Sequence, residues 1–150
     1  MSAAQSFGAK VLLRSEQSGG EVSVMENDVP ARWVGPPLHR HDFDEAFYVL
    51  EGELTFQRDE ELGTAGPGEL VFAPRGAVHT LANRGDRPAR YLLICTPAGF
   101  ERALARRVAE AAGEEPPKWA LSEVPPTEVL GPSIEVWADV DSRPARSTYK

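Results

Sequence analysis

Three histidines occur among the 150 residues, and two of them, His39 and His41, share one tripeptide. A carboxylate, Glu45, follows four positions later, and His79 stands 38 positions beyond His41. On a strand, residues i and i+2 project to the same face, roughly 6.8 Å apart along the backbone. His39 and His41 then project together with Arg40 turned away, and their imidazoles can converge on one ion at ~2.0–2.2 Å per bond. Glu45, across the short Asp42-Phe43-Asp44 turn, can face the same point from the start of the next strand. A lone histidine is usually structural. Two on one strand face beside a carboxylate differ, because burying them together without an ion strands several polar groups.

Strands are what such a site requires, and the chain supplies them. From about Lys10 to Thr96 short apolar runs alternate with turn chemistry. "KVLLR" leads into the turn cluster "SEQSGG", and "EVSVME" follows with period-2 alternation marked by Val22 and Val24. Pro30, Pro36 and Pro37 exclude regular helix from the next stretch. "EAFYVLEGELTFQR" reads as a hairpin hinged at Glu51-Gly52-Glu53, and "VHTLANRGDRPARYLLICT" as another around Arg84-Gly85-Asp86. Further turns are expected near Asp59 and at Gly66-Pro67-Gly68. Many short strands with no helices between them predict an all-β antiparallel sandwich or barrel.

The composition changes at Pro97. Residues 98–112 predict an amphipathic helix with an apolar stripe of Phe100, Leu104, Val108 and Ala111, stopped by Gly113. Residues 113–150 are proline-rich yet carry Trp119, Leu121, Val129, Leu130, Ile134, Val136 and Trp137, too apolar for a solvated tail throughout. Their middle is expected to pack on the barrel or on a second subunit, with the last ten or so residues loose. The whole reads as one domain of residues 1–150.

Several functions are disfavoured by composition. The net charge is −7, and the 16 basic residues form no dense stripe, which argues against a nucleic-acid binder. The local cluster Arg102, Arg106 and Arg107 shares its helix with Glu101 and Glu110. Single Cys95, inside "YLLIC", reads as a buried reduced thiol. No signal peptide is visible, and no apolar run approaches the ~18 residues of a membrane helix, so a cytoplasmic protein is expected.

The stretch His39-x-His41-x3-Glu45-x6-Gly52 resembles the first conserved motif of the cupin superfamily. Gly68, Pro74, Gly76, His79 and Asn83 are similar to the second motif at every position. The resemblance implies a jelly-roll β-barrel of six to eight or more strands. It also implies a metal held by His39, His41, Glu45 and His79, which accounts for every histidine. One departure concerns Gly35, separated from His39 by three residues where the family usually has five, which alters loop shape and leaves the ligand set intact. Asn83 reads as a turn residue.

Three imidazoles and a carboxylate suit Fe, Mn, Ni, Cu or Zn. Four protein ligands on a metal that prefers six leave two positions open, the arrangement of a catalytic site. Among Trp33, Phe43, Phe47, Tyr48, Phe56 and Phe72, most read as barrel core, and Phe47, two along from Glu45 on the same face, is the pocket candidate. Arg75 is a candidate for meeting an anionic substrate at the barrel mouth. The resemblance to small single-domain, quercetin dioxygenase-like cupins implies an oxidoreductase, with Glu45 as ligand and catalytic proton acceptor. The alternatives are a non-catalytic module that binds metal or a small ligand, and an isomerase. A homodimer is expected, because open sheet edges are a liability in a monomer.

Overall fold

The computed structural model describes residues 7–137. Ten strands and two helices follow in the order β1 (Gly8–Leu13), α1 (Ser15–Ser18), β2 (Ser23–Val29), β3 (His39–His41), β4 (Asp44–Glu51), β5 (Leu54–Arg58), β6 (Glu61–Ala65), β7 (Leu70–Ala73), β8 (His79–Ala82), β9 (Ala89–Thr96), α2 (Glu101–Ala111) and β10 (Thr127–Val129). A 3₁₀ turn, Lys118–Leu121, precedes β10. The strands form two antiparallel sheets, β1-β2-β9-β4-β7 and β10-β3-β8-β5-β6.

Consecutive strands pair only at β1–β2 and β5–β6. Every other connection from β2 to β9 crosses between sheets. This corrects two sequence expectations. The bend at Gly52 sends β4 and β5 into different sheets, and the bend at Gly85 does the same for β8 and β9, so neither is a hairpin. A tight glycine turn serves both geometries, and local residues do not say which sheet the next strand joins. Gly52 takes φ 77°, and a Cβ there would stand 2.7 Å from the Pro88 carbonyl oxygen. The turn at Asp59 is a hairpin, with Arg58 facing Glu61.

The core fills the space between the sheets. From β9 it takes Ala89, Tyr91, Leu93 and Cys95, and from β4 Glu45, Phe47 and Val49. From β2 it takes Ser23, Met25, Asn27 and Val29, the opposite parity to the expected Val22–Val24 face, whose residues are only half-buried. A period-2 pattern in which both faces carry apolar residues does not reveal which face points inward. Cys95 is free and buried, and burial pushes its thiol well up, as suits an inert core residue.

Helix α2 packs against β1, β2 and the 3₁₀ turn. It buries Leu104 and Ala109, whereas Ala111 of the expected stripe is exposed. Glu101 is fully buried at its first turn, where it accepts hydrogen bonds from the backbone N–H of Ser15 (2.7 Å) and Gly99 (2.6 Å). The segment after α2 stays on its own barrel. β10 pairs with β3, and Ile134 and Val136 pack with Ala82 and Leu62 outside β8. That cover explains why all four β8 residues are buried, on both faces of the strand. The expected loose residues at the C-terminus lie outside the described residues.

Candidate metal centre

β3 and β8 meet at one register pair, His39 with His79, and that pair begins the site. The alternation of β3 turns His39 and His41 inward and Arg40 outward, where Arg40 donates to Glu128 at 2.7 Å. Glu45 enters from the facing sheet, on β4. Gly35 places the preceding loop hard against β8, since a Cβ would fall 1.7 Å from the Leu81 carbonyl oxygen.

All three rings are held the same way. Nδ1 of His39 donates to the Pro37 carbonyl (2.7 Å), that of His41 to Phe43 (3.2 Å) and that of His79 to Ala77 (2.8 Å). Each Nδ1 proton is thereby committed to backbone, leaving Nε2 as the inward-facing atom, the usual outer support of a metal-binding histidine. The His41 ring is also stacked on Phe43, centroids 3.6 Å apart. Nε2 of His79 lies 2.9 Å from Oε1 of Glu45, and Nε2 of His41 contacts the same oxygen.

One ligand atom from each of the four residues falls within 4.8 Å of the others. Four donors bonded to one ion at ~2.1 Å span at most about 4.2 Å, so a small inward closure seats a cation. With all three rings neutral, their Nε2 lone pairs and the carboxylate would repel one another in this buried setting, and a divalent cation would satisfy all four in place of ring protons. The residues therefore fit a transition metal.

The electrostatics agree. Burial pushes the Glu45 carboxyl up, but hydrogen bonds from His41 and His79 outweigh it and hold the group at about 2. Burial likewise favours neutral His79, yet its bond to Glu45 prevails and raises it. His39 is lowered, chiefly by burial.

Three of the four, His39, Glu45 and His79, line a cavity whose other walls are largely apolar. Phe47 lines it, as its position two along from Glu45 suggested, and so does Trp33. Phe43 and Phe56 are buried, whereas Tyr48 and Phe72 face outward and are exposed. Arg75 stands apart from the cavity wall: it is exposed, pairs with Asp44 at 3.2 Å and donates to the Thr96 carbonyl at 3.3 Å. Its hydrogen bonds hold the Asp44 carboxyl low. Asn83 pins loops, donating to the carbonyls of Pro30 (3.0 Å) and Arg87 (2.7 Å). Asn27, Tyr91 and Arg107 also line the cavity, and sequence reading missed them. The polar Asn27 between apolar neighbours of like parity, Met25 and Val29, was the available signal.

Comparison with known proteins gives the same frame. A family model described as a cupin domain matches residues 25–95. The crystal structure of the DMSP lyase DddQ from Ruegeria pomeroyi is 26% identical, with a TM-score of 0.52, over 61% of this chain and 47% of that one. A predicted oxalate decarboxylase from Thermotoga maritima superposes with a TM-score of 0.57 at 22% identity, over 61% of this chain and 80% of that one. Endoribonuclease YbeY of Myxococcus xanthus is 33% identical over 81 residues, 54% of this chain, which spans only 27% of that protein. Residues 25–95 thus match the cupin domain, with the histidines of both motifs on paired strands of one sheet and Glu45 on the sheet that faces it.

Proposed function

We propose that the chain is a metal-dependent small-molecule oxidoreductase of dioxygenase type, with His39, His41, Glu45 and His79 holding a divalent transition metal. The observation that carries the reading is that Nε2 of His41 and of His79 meet one Glu45 oxygen, with a ring nitrogen of His39 within 4.8 Å of the group, beside a cavity. A metal there supplies a Lewis acid and, if redox-active, electron transfer to dioxygen. The protein's own residues do the rest. The apolar walls, Phe47 and Leu93 among them, exclude water from the reacting end. Glu45, held near 2, acts as a ligand, and a carboxylate so acidic is a weak proton acceptor.

Elemental analysis of purified protein, with oxygen uptake measured on flavonols, catechols and diketones, tests this reading. Stoichiometric metal with uptake supports it. A second reading, lyase chemistry without oxygen, is favoured by the 26% identity to the DMSP lyase. Metal-dependent turnover of the same panel under anaerobic conditions would select it instead. Metal without turnover would leave a binding module.

The chain is further proposed to form a homodimer. Its support is the exposed apolar trio Tyr48, Leu70 and Phe72 on the outer face beside β7, an edge strand.

A further inference from the structure

The cavity beside His39, Glu45 and His79 is small, about 50 Å³. Pockets for drug-sized ligands begin at roughly 300 Å³. One benzene ring takes an apolar cavity of about 150 Å³. A six-membered ring therefore does not fit while the walls stand as they are.

The residues at the mouth set that limit. His39, Glu45, Phe47 and His79 are buried in the wall. Lining residues that also reach solvent mark the mouth: Phe7, Trp33, Pro36 and Phe100 are half-buried, and Arg107 is exposed. Three of these five are aromatic, and they are held differently. Phe100 packs on Phe43, centroids 5.4 Å apart, and lies 6.4 Å from the His41 ring, so it supports a metal ligand. Phe7 and Trp33 stack on each other, centroids 5.9 Å apart and planes 17° from parallel. Trp33 also abuts the loop leading into β3, since a Cβ on Gly35 would stand 3.5 Å from its Cη2. Packed between Phe7 and that loop, the indole has little room to swing aside. It is the largest side chain at the mouth, so its truncation opens the most space. Its carbonyl accepts from the Asn83 N–H at 3.1 Å, a bond that a change of side chain leaves in place.

We propose that Trp33 sets an upper size limit on what reaches the metal, and that the substrate is a small acyclic chelator. Flavonols and catechols are then excluded, and of the three classes named above the shortest diketones remain. This deepens the metal reading and rests on it.

The test uses two hydroxamates that chelate through identical atoms, acetohydroxamate and benzohydroxamate, which differ in carrying a methyl or a phenyl group. Calorimetric titration of metal-loaded protein compares them, with the ratio of their affinities for the free ion as the reference. In the wild type benzohydroxamate should bind about tenfold or more weakly relative to that reference. Trp33→Ala should remove the difference while acetohydroxamate binding stays as it was, and Trp33→Leu repeats the measurement if alanine lowers the yield of folded protein. A wild-type ratio equal to the reference, a ratio unchanged in the variants, or no binding of acetohydroxamate to protein that carries metal would overturn the proposal. Failure of the metal reading is separate: the protein would then carry no stoichiometric metal, or hydroxamate binding would survive chelator treatment.

Discussion

One oxygen, Oε1 of Glu45, lies 2.9 Å from Nε2 of His79 and also contacts Nε2 of His41. Two rings from different motifs on the same sheet thus meet a carboxylate from the facing one, and the barrel must be closed for the cluster to exist. His41→Ala removes one ligand together with the ring stacked on Phe43. Its metal affinity should fall by more than the ~10–100-fold that loss of an outer hydrogen-bond partner costs. Metal content by mass spectrometry after dialysis against a weak chelator reads this directly. Unchanged occupancy would show that His41 is no ligand.

Metal binding should release protons. His79 is raised by Glu45, so in the metal-free protein its stabilising charge is fully present below ~6.5 and is lost as pH rises through the raised value. A cation entering near neutrality displaces that proton. Occupancy at limiting metal should therefore fall from pH 8 to pH 4.5, and the heat of binding should vary with the buffer's ionisation enthalpy. Glu45 has the opposite sign: its contribution is present above ~4.5 and is lost as pH falls toward 2. Acid unfolding of metal-free protein should begin below pH 4.5, and Glu45→Gln should remove that part of the dependence.

Glu101 carries a structural load of its own. It accepts from two backbone donors while fully buried, and Glu101→Ala strands both. A loss of roughly 2–4 kcal/mol in chemical denaturation is expected, with Glu101→Gln intermediate. A change within ±0.5 kcal/mol would mean that water takes over both contacts.

Truncation at Gly113 deletes β10 and the Ile134–Val136 cover of β8. It should lower Tm and expose enough apolar surface to aggregate, whereas a chain ending at Trp137 keeps every described contact. A soluble, metal-loaded fragment ending at Gly113 would refute the covering role.

Phe72→Glu places a charge on the exposed apolar face beside β7. Light scattering should show a dimer in the wild type and a monomer in the variant, with unchanged metal content. A monomeric wild type would remove the dimer proposal.

Sequence reading reached the four-residue cluster because both motifs tie side chain to strand parity over short spans, within which a strand leaves little freedom. The expected hairpins failed because the destination of a strand depends on contacts tens of residues away. Asn27 was missed through the inverted parity of β2, where valines and methionine offer two apolar faces. Glu101 was hidden because an acid at a helix start normally sits in solvent near the helix dipole. Arg107 was grouped with Arg102 and Arg106, and only tertiary packing distinguishes the one that borders the cavity.

β3 is only three residues long, and it meets β8 at a single register pair. On its other side all three residues pair with β10: His39 with Val129, Arg40 with Glu128 and His41 with Thr127. The strand that carries two ligands is thus secured mainly by a segment arriving after α2. Metal and tail become thermodynamic partners, each strengthening the other's hold by the same factor. Loading the ion should slow proteolytic cleavage between Pro116 and Trp137, and a cut there should in turn hasten loss of the ion.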